Sequence, residues 1–282
     1  MNDFTGKYKI HHWITKSVAL TLSVLSTVTT IHAETYDCMI EPYQIINISS
    51  PVEGLIEAIK VDTGDVVSEG DVLVALESSV EKAVVETARA RAASQGELKA
   101  KETQYSFRKR QANRLKELFA KQAVSSHEKD EADTNVTLAK LELKQSQETI
   151  ELAILDLKRA EAELNQRTVE SPVNGVVMDR QMSPGEFVRE DPILRLAQLD
   201  PLRIETILPA SRFGSVKMGE SIAVIAESPI GRSLMAKVTR IDRVIDAASG
   251  TFVVRLELPN GDYKLPGGVK CKAKFGTSTA SN

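Results

Sequence analysis

Few side chains in this sequence are of the kinds that make or break bonds. Three of the four histidines (His11, His12, His32) fall within the first 33 residues, leaving His127 in the remainder. The chain carries no nucleophile elbow, no phosphate-cradling glycine loop and no metal-ligand spacing. Met39, Met178, Met182, Met218 and Met235 are scattered, where a soft-metal site needs its thioethers clustered. Carboxylates are spread along polar stretches, where charge runs belong to solvated faces. What is left is non-covalent chemistry. In the stretch KQAVSSHEKDEA, Ser125 stands three residues before Glu128, the spacing of a capping box that opens a helix. The residue types favour a non-catalytic protein, and no resident cofactor or metal is expected.

The elements that position this stretch are helical. Proline is absent from Val52 through Ser171, and Gly96 is the only glycine from Asp71 through Asn174. Strong helix formers fill the interval. Ala132, Val136, Ala139, Leu143, Ser146, Ile150, Ala153, Leu157, Ala160 and Leu164 follow one another in alternating steps of four and three, a coiled-coil seam. The first arm, roughly Ser79 to Phe119, has a weaker frame of Val84, Leu98, Tyr105, Ala112 and Phe119, with Arg91 at an equivalent position. One helix is expected to end near Ala120 and the next to begin after Ser125 or Ser126. At about 1.5 Å per residue, each arm spans about 60 Å.

Flanking the helices, one short phrase is written twice: SPVEG at Ser50–Gly54 and SPVNG at Ser171–Gly175. At the same offset, Gly64 matches Gly185, Val67 matches Val188, Glu69 matches Glu190 and Leu73 matches Leu194, with no gap. Each copy reads as short apolar strands separated by glycine turns, too small to bury a core alone. Two copies folded together would exclude water between them and hold the ends of the hairpin side by side. Asp191-Pro192 stands where the first copy has Gly70-Asp71, so the second half is expected to close differently. From Pro201 onward RIETIL, SIAVIA, MAKVTRI, TFVVRLEL and VKCKAKF, punctuated by glycines, read as a small antiparallel barrel.

Residues 1–33 read as a secretory signal peptide, with Lys7, Lys9 and Lys16 before the uncharged segment Ser17–Ile31 and a cleavage site at Ile31-His32-Ala33. The chain of 282 residues has 36 basic against 39 acidic residues, a balance that gives no pull toward nucleic acid. Aromatics make up only 5%, which favours an elongated helix-rich protein over an enzyme with a deep apolar pocket. Two cysteines, Cys38 and Cys271, either form a bridge or remain as buried thiols; both alternatives stay open at this point.

SPVEGLIEAIKVDTGDVVSEGDVLVALE resembles the half-motif of biotinyl-lipoyl domains. That resemblance raises the alternative of a biotinyl or lipoyl carrier, with Lys82 as its attachment lysine. Lys82 sits at the start of a helical arm and not on a tight turn, which disfavours it. A lipoyl-like sandwich split by a coiled-coil hairpin is similar to the periplasmic adaptor subunits, or membrane fusion proteins (hemolysin-D-like), of tripartite efflux and type I secretion systems. The resemblance implies an α+β, elongated fold: a lipoyl-like β-sandwich split by a long antiparallel α-helical hairpin, followed by a small β-barrel. Its expected divisions are a signal peptide (1–33), an N-terminal strand joining the barrel (34–49), the sandwich (50–78 plus 168–200), the hairpin (79–167), the barrel (201–276) and a tail (277–282). It implies that Arg114, Leu118 and Ser125 are the tip that docks a TolC-like outer-membrane channel. It further implies an inner-membrane transporter as second partner, self-association into a ring, a periplasmic location and no enzymatic activity. If Glu34–Ser49 runs along the last barrel strand, Cys38 approaches Cys271 closely enough to bridge. A coiled-coil scaffold that never meets a channel is the alternative function.

Overall fold

The computed structural model describes residues 34–276; the segment read as a signal peptide and the tail at 277–282 lie outside the described residues. The described residues form two units of sheet and one helical hairpin. The first is the split sandwich. Its first half supplies β2 (Gly54–Ile59), β3 (Val66–Val67) and β4 (Val72–Leu76), and its second half β5 (Thr168–Glu170), β6 (Gly175–Arg180), β7 (Phe187–Val188) and the start of β8 (Leu194–Pro209). The halves interleave: β2 pairs with β7 through Gly54↔Val188, and β6 pairs with β3 through Gly175↔Val67. The connecting bonds repeat at the offset seen in the sequence. Gly64 N–H donates to Val177 O and Gly185 N–H to Ile56 O, each at 2.9 Å. Ser50 Oγ donates to Val52 O and Ser171 Oγ to Val173 O, each at 2.6 Å. Ile56 and Val177, Val67 and Val188, and Leu73 and Leu194 all enter one buried core. Burying matched apolar faces against each other removes from water what neither half can cover alone.

The halves differ where Asp191-Pro192 replaces Gly70-Asp71. In the first half Gly70, at φ 87°, donates to Ser171 O, and Ser171 N–H donates back to Asp71 O. The second half joins instead through Ile193 N–H to Ile48 O at 2.7 Å. Asp191 stands where Gly70 takes its positive φ and Pro192 fixes its own φ, so the turn is not repeated and the joining donor lies two positions further on.

The second unit is a closed six-stranded barrel. β1 (Glu34–Ile48), β12 (Val269–Phe275), β9 (Ser221–Ala226), β10 (Ser233–Ile241), β11 (Thr251–Leu258) and β8 follow in that order, and β1 pairs with β8 to close it. Closure leaves no free strand edge. Alternation is clean, with Val269, Cys271, Ala273 and Phe275 of β12 buried and the residues between them exposed. β1 and β8 are long enough to serve both units, and β8 passes through Pro201 without a break. Cys38 and Cys271 sit directly opposite each other on β1 and β12 and are joined by a disulfide within the barrel core.

The hairpin consists of α1 (Ser79–Ala93), α2 (Gly96–Ala120) and α3 (Ser126–Asn165). Every residue of the expected α3 seam is buried or half-buried. The first arm departs from expectation in two ways. It is broken at Ser94-Gln95, where Ser94 is extended, and its true frame on α1 is Val85, Ala88 and Ala92. Val84 is 47% exposed and Arg91 is exposed. Beyond the break the frame resumes at Leu98, Lys101, Tyr105, Arg108, Ala112 and Leu115. From Ala92 to Leu98 is six positions and not seven, so the break absorbs a one-residue slip in the repeat. At the root, Arg167 bonds Glu81 at 2.6 Å and Glu53 O at 3.0 Å, tying the second arm to the first arm and to the sandwich.

Candidate partner-docking site

The apex between α2 and α3 is built by two caps back to back. α2 ends in a Schellman motif: Ala123 N–H donates to Leu118 O and Gln122 N–H to Phe119 O, both at 2.9 Å. That motif needs a left-handed residue, and Gln122 supplies it at φ 59° in place of the usual glycine. Two residues later Ser125 opens α3 with the full capping box. Glu128 N–H donates to Ser125 Oγ at 3.2 Å, and Glu128 Oε2 accepts Ser125 N–H at 2.8 Å and Ser125 Oγ–H at 2.9 Å. The bond from the Ser125 backbone, then that from its hydroxyl, holds the Glu128 carboxyl below its ordinary 4.5, with His127 adding a smaller pull. The tip is thus a tight corner, with the chain reversed in five residues and a cap bonded on each side of it.

Arg114 and Leu118 lie one turn apart on α2, off the seam occupied by Ala112 and Leu115, and both face solvent. Leu118 is 41% exposed. Among the described residues Arg114 makes no ion pair, so its guanidinium is free for a partner's carbonyl or carboxylate. Ser125 completes the apex, but its hydroxyl is committed to the cap; its part in the site is to fix the corner. Periodicity placed Phe119 in the seam, seven residues after Ala112. The structure leaves it 40% exposed beside Leu118, because the partner helix has already turned away at that level. Only the nearness of the turn could have signalled this. Lys82 is exposed in the first turns of α1, away from any β-turn, and lacks the surroundings of a carrier lysine.

A split lipoyl-like sandwich that projects a capped hairpin from one side and continues into a closed barrel defines an adaptor architecture. Residues 44–197, over half of the chain, match the CzcB-like, barrel-sandwich hybrid domain, and residues 203–279 match the CusB-like, beta-barrel domain. The chain therefore belongs to the membrane fusion protein family, whose members are adaptors of efflux systems and not enzymes. It is 24% identical over 271 residues to the pyoverdine export membrane fusion protein PvdR of Pseudomonas aeruginosa, covering 86% of this chain and 69% of that one. An uncharacterized protein of Haemophilus influenzae is 21% identical over 246 residues, covering 86% of this chain but 57% of its own length. In fold it resembles MacA from Actinobacillus actinomycetemcomitans, with a TM-score of 0.73 at 24% identity over 88% of this chain and 79% of that one.

Proposed function

We propose that this protein is a periplasmic adaptor that links an inner-membrane transporter to a TolC-like outer-membrane channel for the export of small molecules. The observation that carries this reading is the apex: a doubly capped corner, about 60 Å from the root, presenting Arg114, which has no ion pair among the described residues, beside Leu118 and Phe119. A corner that is rigid before contact loses little entropy on docking. A single Arg and a small apolar knob bind weakly, but several copies held in one ring engage together and gain by effective concentration. Self-association into such a ring, through the sandwich and barrel units, is part of the proposal. Relationship to a pyoverdine exporter supports small-molecule cargo.

The test is Arg114→Asp and Leu118→Asp, singly and together, in the strain that expresses the native partners. Both positions are exposed, so circular dichroism and melting temperature should stay close to the parent. Export or resistance should fall sharply, and cross-linking from the tip to the channel should be lost. Full export by the double variant would sink the docking role and favour a coiled-coil scaffold.

A further inference from the structure

The hairpin leaves the sandwich through two chain crossings, from β4 into α1 and from α3 into β5. Backbone bonds hold these crossings at the sheet: Leu76 N–H donates to Arg167 O at 2.8 Å and Glu77 N–H to Leu55 O at 2.9 Å. They fix where the helices start, but not the direction in which they point. Packing does not supply the direction either. Among the described residues, neither buried core contains a residue of α1, α2 or α3, and no half-buried apolar side chain of the hairpin packs against one. A rod joined to its base by two peptide crossings and no shared core swings unless side chains tie it down.

One side chain ties it. Arg167 stands between α3 and β5, and its guanidinium reaches two further segments. Nη2 donates to Glu81 Oε1, in the first turn of α1, at 2.6 Å, and Nη1 donates to Glu53 O, in the first half of the sandwich, at 3.0 Å. With 24% and 19% of their side chains exposed, Arg167 and Glu81 form the least exposed ion pair among the described residues. Charge-assisted bonds that are shielded from water are stronger than exposed ones. The planar fork matters too, because one rigid group meets both acceptors at once. Gly54 leaves it room, since a Cβ there would lie 2.7 Å from Nη1. Positions 54, 81 and 167, far apart in sequence, thus meet in one joint at the root.

We propose that Arg167 is a positioning residue for docking: by bonding the second arm to the first and to the sandwich, it sets the angle at which the hairpin carries Arg114 and Leu118. This deepens the adaptor reading and rests on it. The lever is long. With the apex about 60 Å from the root, a swing of about 5° displaces it by about 5 Å. That is further than a hydrogen bond stretches. Arg167 therefore decides whether Arg114 meets its partner, although it touches neither Arg114 nor the partner. Copies that engage together must also aim together, and each one that points elsewhere is lost from the shared effective concentration.

The native cysteines are bonded to each other, so pairs of introduced cysteines can carry spin labels in the full chain. Thr63→Cys, on an exposed turn of the sandwich, with Lys140→Cys, exposed on α3, reads the angle. Lys140→Cys with Lys158→Cys, both exposed on α3, reads the helix itself. Measured by double electron–electron resonance, Arg167→Ala, Glu81→Ala and Gly54→Ala should each roughly double the width of the 63–140 distance distribution and leave the 140–158 distribution as in the parent. Glu81→Gln, which keeps an acceptor oxygen, should stay close to the parent. So should Gly175→Ala below its melting temperature, because it loosens the sheet without touching the joint. In the strain that expresses the native partners, Arg167→Ala should lower export by roughly tenfold as shared engagement is lost. A parental 63–140 width in Arg167→Ala overturns the proposal. Widening of the 140–158 distribution also overturns it, since Arg167 would then support the helix and not its angle. Full export from a chain whose 63–140 distribution has widened does the same. Arg114→Asp separates this inference from the docking reading: it should lose export at parental width. If it exports normally, docking at Arg114 fails while the width measurement still decides whether Arg167 sets the angle.

Discussion

Gly54 and Gly175 close the two copies of the repeated phrase, yet neither has the positive φ that usually explains a glycine. Both are there for close approach, and what approaches differs. A Cβ on Gly175 would lie 2.6 Å from the Ala197 carbonyl oxygen, part of the β8 backbone; one on Gly54 would lie 2.7 Å from Arg167 Nη1, the far end of a flexible side chain. Gly175→Ala should therefore cost about 1–3 kcal/mol, since the sheet must give way. Gly54→Ala should cost less, because the guanidinium can swing aside and give up its bond to Glu53. Chemical denaturation of both variants checks the order; equal losses would refute the distinction. At the apex, Ser125→Ala should cost about 1 kcal/mol through the lost cap. Glu128 adds a pH dependence whose sign is set by its lowered value. Its contribution is fully present above the ordinary carboxylate range and fades as pH falls through the lowered folded value. Carboxyl NMR should find Glu128 below 4.5 in the parent and raised in Ser125→Ala, yet still below 4.5 because the backbone N–H of residue 125 remains as a donor.

At the scale of elements, how well the sequence could be read depended on whether neighbours supplied a regular pattern. The α3 seam was legible throughout, because each position meets a partner helix at the same spacing. The first arm was not, because a one-residue slip at Ser94-Gln95 moves Val84 out and Val85 in. A search for one unbroken repeat cannot register such a slip, and only Gly96, the lone glycine of the hairpin, hinted at it. The capping box was visible as Ser125 and Glu128 three apart, whereas the Schellman motif was hidden because glutamine occupies its left-handed position. That substitution makes a prediction. A non-glycine residue at positive φ costs about 1–2 kcal/mol, partly offset by the greater freedom glycine has in the unfolded chain. Gln122→Gly should therefore stabilise the hairpin by about 0.5–1 kcal/mol and leave Arg114 and Leu118 in place. A melting temperature at or below the parent's would show that the Gln122 side chain has a favourable role that outweighs its backbone.

Across the whole molecule, the repeat revealed the sandwich because both halves bury equivalent residues: Ile56 with Val177, Val67 with Val188. What it could not reveal is that β1 and β8 each run through both units: Pro42 and Pro201 stand where they pass from one core to the other, and a proline in sequence reads as the end of a strand as readily as its passage. The consequence concerns how the units share stability. The disulfide closes 233 positions of chain, enclosing sandwich and hairpin, yet it lies wholly within the barrel between β1 and β12. Cross-linking stabilises chiefly by restricting the unfolded chain, and losing a native bridge typically costs about 2–5 kcal/mol. In Cys38→Ala/Cys271→Ala that loss should fall on the unit whose strands the bridge joins. Hydrogen exchange should therefore show amides of Tyr36–Ile40 and Val269–Phe275 losing protection first, while those of α3, held by its own seam and by the Arg167–Glu81 pair, exchange at nearly parental rates. Parallel loss in the barrel and in α3 would mean that β1 and β8 couple the units into one cooperative block. Undiminished protection in the barrel would mean that strand pairing alone holds β1 in place.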